Sequence, residues 1–461
     1  MKKTAIILAT LLVTAGALAQ QTQKQAPPAP GTPRNFAIPE IRRFVLPNGL
    51  QVRLVPYGEV PKVTVRLVTQ TGNVDEQSGQ TWLADITGAM MEQGTATRSA
   101  EQIAREVAMM GGALDIGVGM NQVTIGTDVF SESAADAVAL VADVARNPRF
   151  PETELARIQA DMVRNLSIQR SQPQPIAAEK FAQTLFGDHP YGRLFPTEQQ
   201  LQSYTLEQVR SFHERNFGAA RSFLYVVGRF DAAAVEPAIR RSLSDWKTGT
   251  PATKPSVTPV ARRAVYLIDR PGAVQSTVYI GLPTDDATAA DYLPITVMNT
   301  LLGGFFSSRI TSNIRENKGY TYSPTSTVTT RLGAGAWAEM ADVTTNVTGA
   351  SIKEILFEID RLRNEPATDT ELRGIQNYLA GTFVLRNSNR PGIANQLAFL
   401  DLYGLSDDYL RNYVQRVYAL TPADIQRMAR TYIDPSKLAI VVVGDRAQVA
   451  EQLKPYGEVM P

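Results

Sequence analysis

Residues able to do chemistry are scarce in this chain. It holds two histidines and no cysteine. His189 and His213 stand 24 positions apart. A catalytic zinc site takes three protein ligands and keeps one position for water. It commonly begins with two histidines four apart on one helix face. Neither histidine has such a neighbour. His189, in "FGDHPYG", reads as a turn residue. His213, in "SFHERNF", falls near the end of a predicted helix, where a protonated imidazole suits the dipole. Composition excludes cysteine nucleophiles. A Ser–His–Asp triad would have to enlist one of the two histidines, and no G-x-S-x-G elbow accompanies them. No Walker loop occurs, and "LLGGFF" is only a weak likeness of a nucleotide-binding glycine loop. The reactive residues therefore define no self-contained active site.

The framework that would position a site is easier to read. At 461 residues the chain is long enough for two to four domains. Lys plus Arg and Asp plus Glu nearly cancel, 46 against 45, so no basic field exists to hold nucleic acid. "MKKTAIILATLLVTAGALAQ" has two lysines, an apolar run and Ala17-Leu18-Ala19 before Gln20. It predicts a signal peptide over residues 1–19 rather than an anchor, because the run is short for a span of about 20 residues. Losing Lys2 and Lys3 takes the formal charge from +1 to −1. The expected protein is exported, periplasmic or secreted, with no membrane span after cleavage. Residues 20–40 are Pro- and Gln-rich and predict a disordered lead-in.

A second Pro- and Thr-rich stretch, "WKTGTPATKPSVTPVARR", predicts a linker over residues 249–262. It divides the chain into halves at 41–248 and 263–461. The halves share a pattern. "YTLEQVRSFHERNFGAARSFLYVVGRFD" and "LTPADIQRMARTYIDPSKLAIVVVGDRA" begin at Tyr204 and Leu420. Thr205 and Thr421, like Gly228 and Gly444, are 216 positions apart, so the match runs without a gap. Each copy reads as a capped helix, a turn, an apolar strand and a glycine. In the first half "KVTVRLVTQTG" alternates Val63, Val65 and Leu67, a half-buried strand. "SAEQIAREVAMMGG" starts at Ser99 with Gln102 three residues on, a capping box, and ends at Gly111-Gly112. "GALDIGVGMNQVTIGTDVF" reads as a two-stranded meander. The predicted class is α+β: two homologous halves, each a mixed or antiparallel sheet with helices on one face, forming a clam-shell around a cavity.

From about Arg42 onward the chain resembles the insulinase/pitrilysin family of zinc peptidases, in its bacterial two-subunit branch, which is similar to mitochondrial processing peptidase. "LPNGLQVRLV" and "LLGGFFSSRITSNIRENKGYTYS" carry the resemblance. "MMEQGTATRSAEQIA", "LFGDHPYGR" and the paired "VVG" ends support it. The resemblance implies an inverted motif His-x-x-Glu-His before Gly94-Thr95, and Asp85, Gly88 and Ala89 occupy its three positions. A third ligand is implied between Val163 and Gln169, where no acid stands. The implied chain binds no zinc, is not active alone, and leaves the metal to a partner. In the second half the family's Arg and Tyr, seven apart, match Arg315 and Tyr322, with Tyr320 as the rival tyrosine. A guanidinium and a phenol there suit an oxyanion that develops as a peptide bond is attacked.

The resemblance thus implies a zinc-less subunit of a heteromeric metallopeptidase. Its partners are a homologous subunit bearing His-x-x-Glu-His and an unfolded peptide added to a sheet edge. A structural subunit with no role in proteolysis, a peptide-binding module acting alone and an enzyme of unrelated chemistry are the other readings.

Overall fold

The computed structural model describes residues 37–461. The expected signal peptide and most of the expected lead-in lie outside the described residues.

Two six-stranded sheets organise the chain. The first contains β1 (Arg42–Val45), β2 (Gln51–Pro56), β3 (Lys62–Thr69), β4 (Asp115–Val118), β5 (Val123–Phe130) and β6 (Ser222–Gly228). The second contains β7 (Ala264–Asp269), β8 (Gln275–Thr284), β9 (Thr325–Arg331), β10 (Ala334–Thr344), β11 (Ala439–Gly444) and β12 (Val459–Met460). Their orders are β1-β2-β6-β3-β5-β4 and β12-β7-β11-β8-β10-β9. Apart from the outer strands β1 and β12, the two sheets repeat one topology. In each a parallel pair, β2/β6 or β7/β11, adjoins an antiparallel run. Residues 249–263 carry neither helix nor strand.

The 216-residue repeat has a physical basis. Thr205 and Thr421 both cap a helix, and Gln208 and Asp424 close the two capping boxes, which satisfies amide groups the helix cannot. Gly228 and Gly444 both end the strand that follows. A Cβ at Gly228 would stand 2.4 Å from the Lys62 carbonyl oxygen, and one at Gly444 would stand 2.6 Å from Ser276 Oγ. Only glycine lets the strand end pass so near its neighbour.

Each sheet packs one face on helices of its own half. The other face is covered by a helix of the opposite half. The Pro173–Phe186 helix lays Ala177, Phe181 and Leu185 on Ala336, Ala338 and Val441 of the second sheet. Reciprocally, the Arg390–Tyr403 helix lays Ile393, Ala394 and Leu397 on Val55, Val68 and Val227 of the first. Burying each Leu or Phe contributes about 1.5–3 kcal/mol. Polar links orient the second contact. Arg390 donates twice to Asp128, at 3.2 and 3.0 Å. Asp401 accepts from Arg53 at 2.9 Å and from Tyr225 at 2.7 Å. The exchange corrects the half-buried reading of β3. Val63, Val65 and Leu67 are buried, and so are Thr64 and Val68 on the opposite face.

Candidate functional site

Asp85, Gly88 and Ala89 lie on the Leu83–Met91 helix. Trp82, with φ +68°, precedes it and offers no side-chain cap. Glu76, from the loop before, takes over that task. Its carboxylate accepts from Ala84 N at 2.9 Å, Trp82 N at 3.2 Å and Asn73 Nδ2 at 3.1 Å. Glu76 is buried, and burial, helped by the neighbouring Asp85 charge, pushes its carboxyl up to about 8. Asp85 accepts from Asn73 Nδ2 at 2.6 Å, and burial raises it above the ordinary carboxylate range. It is a hydrogen-bonded, part-buried acid.

Gly88 stands where the resemblance puts a general-base glutamate. The space is filled, since a Cβ there would meet Val118 Cγ2 at 2.6 Å and Ile116 Cγ2 at 3.6 Å. Strand β4 therefore packs onto the helix where a ligand set would open. Ala89 is half-buried against the same core. The stretch Val163–Gln169 lies on the Glu152–Ser171 helix, with Leu166 buried in the core. Among the described residues no group of three or more His, Cys, Asp or Glu could hold a metal ion. With two of the three motif positions lacking a ligand atom and Asp85 committed to Asn73, this donor set does not fit zinc.

Both histidines are structural. His189 Nδ1 accepts from Tyr191 N at 3.1 Å and starts a short 3-10 turn. His213 is buried, with Nε2 2.8 Å from the Ala145 carbonyl oxygen and its ring stacked on Phe217. Burial pushes it down to about 4. The protonated, dipole-facing imidazole expected from its place on the helix is thus neutral at pH 7, because desolvation outweighs the helix end.

The second half assembles Arg315 and Tyr322. Ser308 caps a helical turn over Arg309–Thr311, which widens to a π-helix over Ser312–Asn317. Gly319, at φ +65°, reverses the chain, and Tyr320 N closes the turn on the Ile314 carbonyl at 2.8 Å. Thr321 then bridges to Val343, so Tyr322 emerges just before β9. The Arg315 guanidinium carbon lies 5.0 Å from the Tyr322 ring centre and 4.2 Å from that of Phe306. Arg315 Nε is 3.3 Å from Glu316 Oε1. Tyr322 is 78% exposed and Phe306 58%, so two exposed aromatic rings flank one part-buried arginine. Tyr320 lines the same shallow depression, but the stack on Arg315 belongs to Tyr322.

Sequence reasoning missed Phe306 and Glu76. The doubled aromatic after Gly303-Gly304 was the available signal for Phe306. For Glu76 it was an acid a few residues before an uncapped helix.

Two family models match the chain. Residues 56–195 match Insulinase (Peptidase family M16), and residues 203–379 match the Peptidase M16 inactive domain. The chain belongs to the insulinase family, M16. It is a peptidase-like member that lacks the zinc motif. It is similar to an uncharacterized zinc protease of Rickettsia felis, 26% identical over 74% of this chain and 81% of that one. An uncharacterized zinc protease of Mycobacterium tuberculosis is 24% identical over 90% of this chain and 96% of its own length. Among solved structures, a peptidase M16 inactive domain from Pseudomonas fluorescens superposes with a TM-score of 0.81, at 23% identity, over 88% of this chain and 98% of its own. A protease from Helicobacter pylori superposes at 0.82 and 18% identity, over 88% and 100%. These likenesses establish the shared fold.

Among the described residues no helix is long and apolar enough to cross a membrane.

Proposed function

We propose that this chain is the zinc-less subunit of a heteromeric M16 metallopeptidase, and that it presents Arg315 and Tyr322 to a peptide held at the zinc of a homologous subunit. The observation that carries this reading is an asymmetry between the halves. Val118 and Ile116 pack against the helix of the degenerate motif at Gly88. Arg315 and Tyr322 are held together at the surface, with Tyr322 exposed and Arg315 part-buried. Neither a core nor a salt-bridge network accounts for two adjacent exposed rings around one arginine.

The partner subunit would carry His-x-x-Glu-His, and its zinc would supply the Lewis acid. This chain binds no zinc of its own and is inactive alone. Its residues bind and orient. The phenol of Tyr322 donates a hydrogen bond to the peptide oxygen on which charge develops, and the guanidinium of Arg315 holds the peptide in line. An unfolded substrate adds as a strand to an exposed sheet edge, where backbone groups read it largely irrespective of sequence. The protein is exported before it meets its partner.

The test is steady-state hydrolysis of a quenched fluorescent peptide by this chain mixed with its zinc-bearing partner. Tyr322→Phe or Arg315→Ala should cut turnover by about 10²–10³, the usual effect of losing one preorganised donor. The Tyr320→Phe control should leave most of the activity. Gel filtration checks that each complex stays intact. Unchanged turnover in intact complexes of both variants would refute the catalytic part and leave the chain a structural subunit.

A further inference from the structure

Away from Arg315 and Tyr322, the second half holds a cleft of about 360 Å³ between the Tyr292–Leu302, Asp369–Arg386 and Arg390–Tyr403 helices and the segment around Tyr409 and Tyr413. Leu293, Leu379, Phe383 and Phe399 form its apolar wall. Phe383 stacks on Tyr413 with ring centres 4.2 Å apart, and Phe399 lies 5.8 Å from Tyr409 and 6.5 Å from Tyr292. The near-parallel Phe383–Tyr413 pair presents a flat surface, while Phe399 is tilted by 45° against Tyr409. Among its described lining residues there is no Asp or Glu, and Arg386 is the one fixed charge. Arg386 is exposed at the end of its helix. Asn395 and Gln396 add amides to the lining.

We propose that this cleft binds a small monocarboxylate carrying an aromatic group, with the ring between the aromatic walls and the carboxylate on Arg386. Three features select that class. The volume is near the lower end of ligand sites, which run about 300–1,000 Å³, so it takes one ring-bearing unit and no extended peptide. The wall is aromatic, which favours a flat apolar group. The lone guanidinium has a donor fork that matches one carboxylate. Burial raises Tyr292 and Tyr409 above the ordinary phenol value and Tyr413 to about 12, so all three line the cleft as neutral hydroxyls. Among the described residues none of the three has a side-chain hydrogen-bond partner within the protein, so each is available as a donor. The site is independent of any role in proteolysis.

Calorimetric titration of the full chain with N-acetylphenylalanine and with its amide is the test. The acid should bind saturably at one site per chain, and the amide about 10–100-fold more weakly, the usual worth of a charge-assisted hydrogen bond. Arg386→Ala should erase the preference for the acid, with the thermal melt unchanged because Arg386 is exposed. Thr382→Trp, which fills the cleft from its half-exposed side, should abolish binding of both. Equal binding of acid and amide by the unmodified chain, or no binding of either at millimolar ligand, would overturn the proposal.

Discussion

Replacing Glu76 with glutamine should make the protein less stable in acid and more stable in base. Glu76 is buried, and its two oxygens accept from Ala84 N, Trp82 N and Asn73 Nδ2. In the unfolded chain it ionises near 4.5, while in the folded protein it holds its proton to about 8. Between those values the unfolded state has released a proton that the folded state keeps. Stability therefore falls as pH rises through this window and levels off above it. At about 1.4 kcal/mol for each tenfold change in proton affinity, the ceiling on this loss is about 5 kcal/mol. Relaxation of the site and partial screening by the helix N-terminus should reduce the realised value to roughly 2 kcal/mol. The Glu76→Gln side chain has no proton to lose, so the variant escapes this loss. It also has one acceptor oxygen where glutamate has two. Its amide nitrogen then opposes the Trp82 N–H, at about 1 kcal/mol. The stability curves of the two proteins should cross near pH 5, where the glutamate form has lost about 1 kcal/mol. At pH 9 the variant should melt several degrees higher, given roughly 2–4 °C per kcal/mol for a unit the size of one half. Apparent melting temperatures from about pH 4 to pH 9, read by intrinsic fluorescence, would decide it. Parallel curves would show that Glu76 is ionised in the fold and that the helix N-terminus outweighs burial.

Rebuilding the inverted motif with Asp85→His, Gly88→Glu and Ala89→His should not restore a metal site. The glutamate introduced in place of Gly88 would meet Val118, whose Cγ2 lies 2.6 Å from where its Cβ must stand, and overpacking costs about 1–3 kcal/mol. Elemental analysis after dialysis should find no stoichiometric zinc, and about one zinc per chain would show that β4 yields. Glu339 is fully buried in the second half, and neither of its oxygens has a partner among the described residues. Burial raises its carboxyl well above the ordinary range. Glu339→Met should stabilise the protein by about 1–3 kcal/mol, and by more at pH 9 than at pH 6, as followed by thermal melts. A lower melting temperature at both values would mean that the carboxyl has a role the packing does not reveal.

Much of the fold could be read locally. The capping boxes at Thr205 and Thr421 close within one helical turn, and each helix is followed at the same spacing by an apolar strand ending in glycine, so spacing alone exposed the duplication, although the neighbours those glycines approach, Lys62 and Ser276, lie on other strands. Loss of the metal ligands was equally legible, since no fold can make Gly88 or Ala89 coordinate zinc. The sequence thus settled the internal repeat, the missing donors and the Arg315/Tyr322 spacing. Tertiary structure decided the rest. A strand pattern shows one apolar face, and it cannot show that a helix from the opposite half, Arg390–Tyr403, covers the other face of β3. Helix position made His213 a candidate cation, and burial under Phe217 made it neutral. Glu76 caps a helix that starts seven residues later only because Trp82 takes a left-handed turn between them. The Phe306–Arg315–Tyr322 stack exists because a π-helix, a glycine reversal and a bridge to β10 bring three separated residues to one surface. Contacts of this kind carry no periodicity along the chain, because packing between elements creates them.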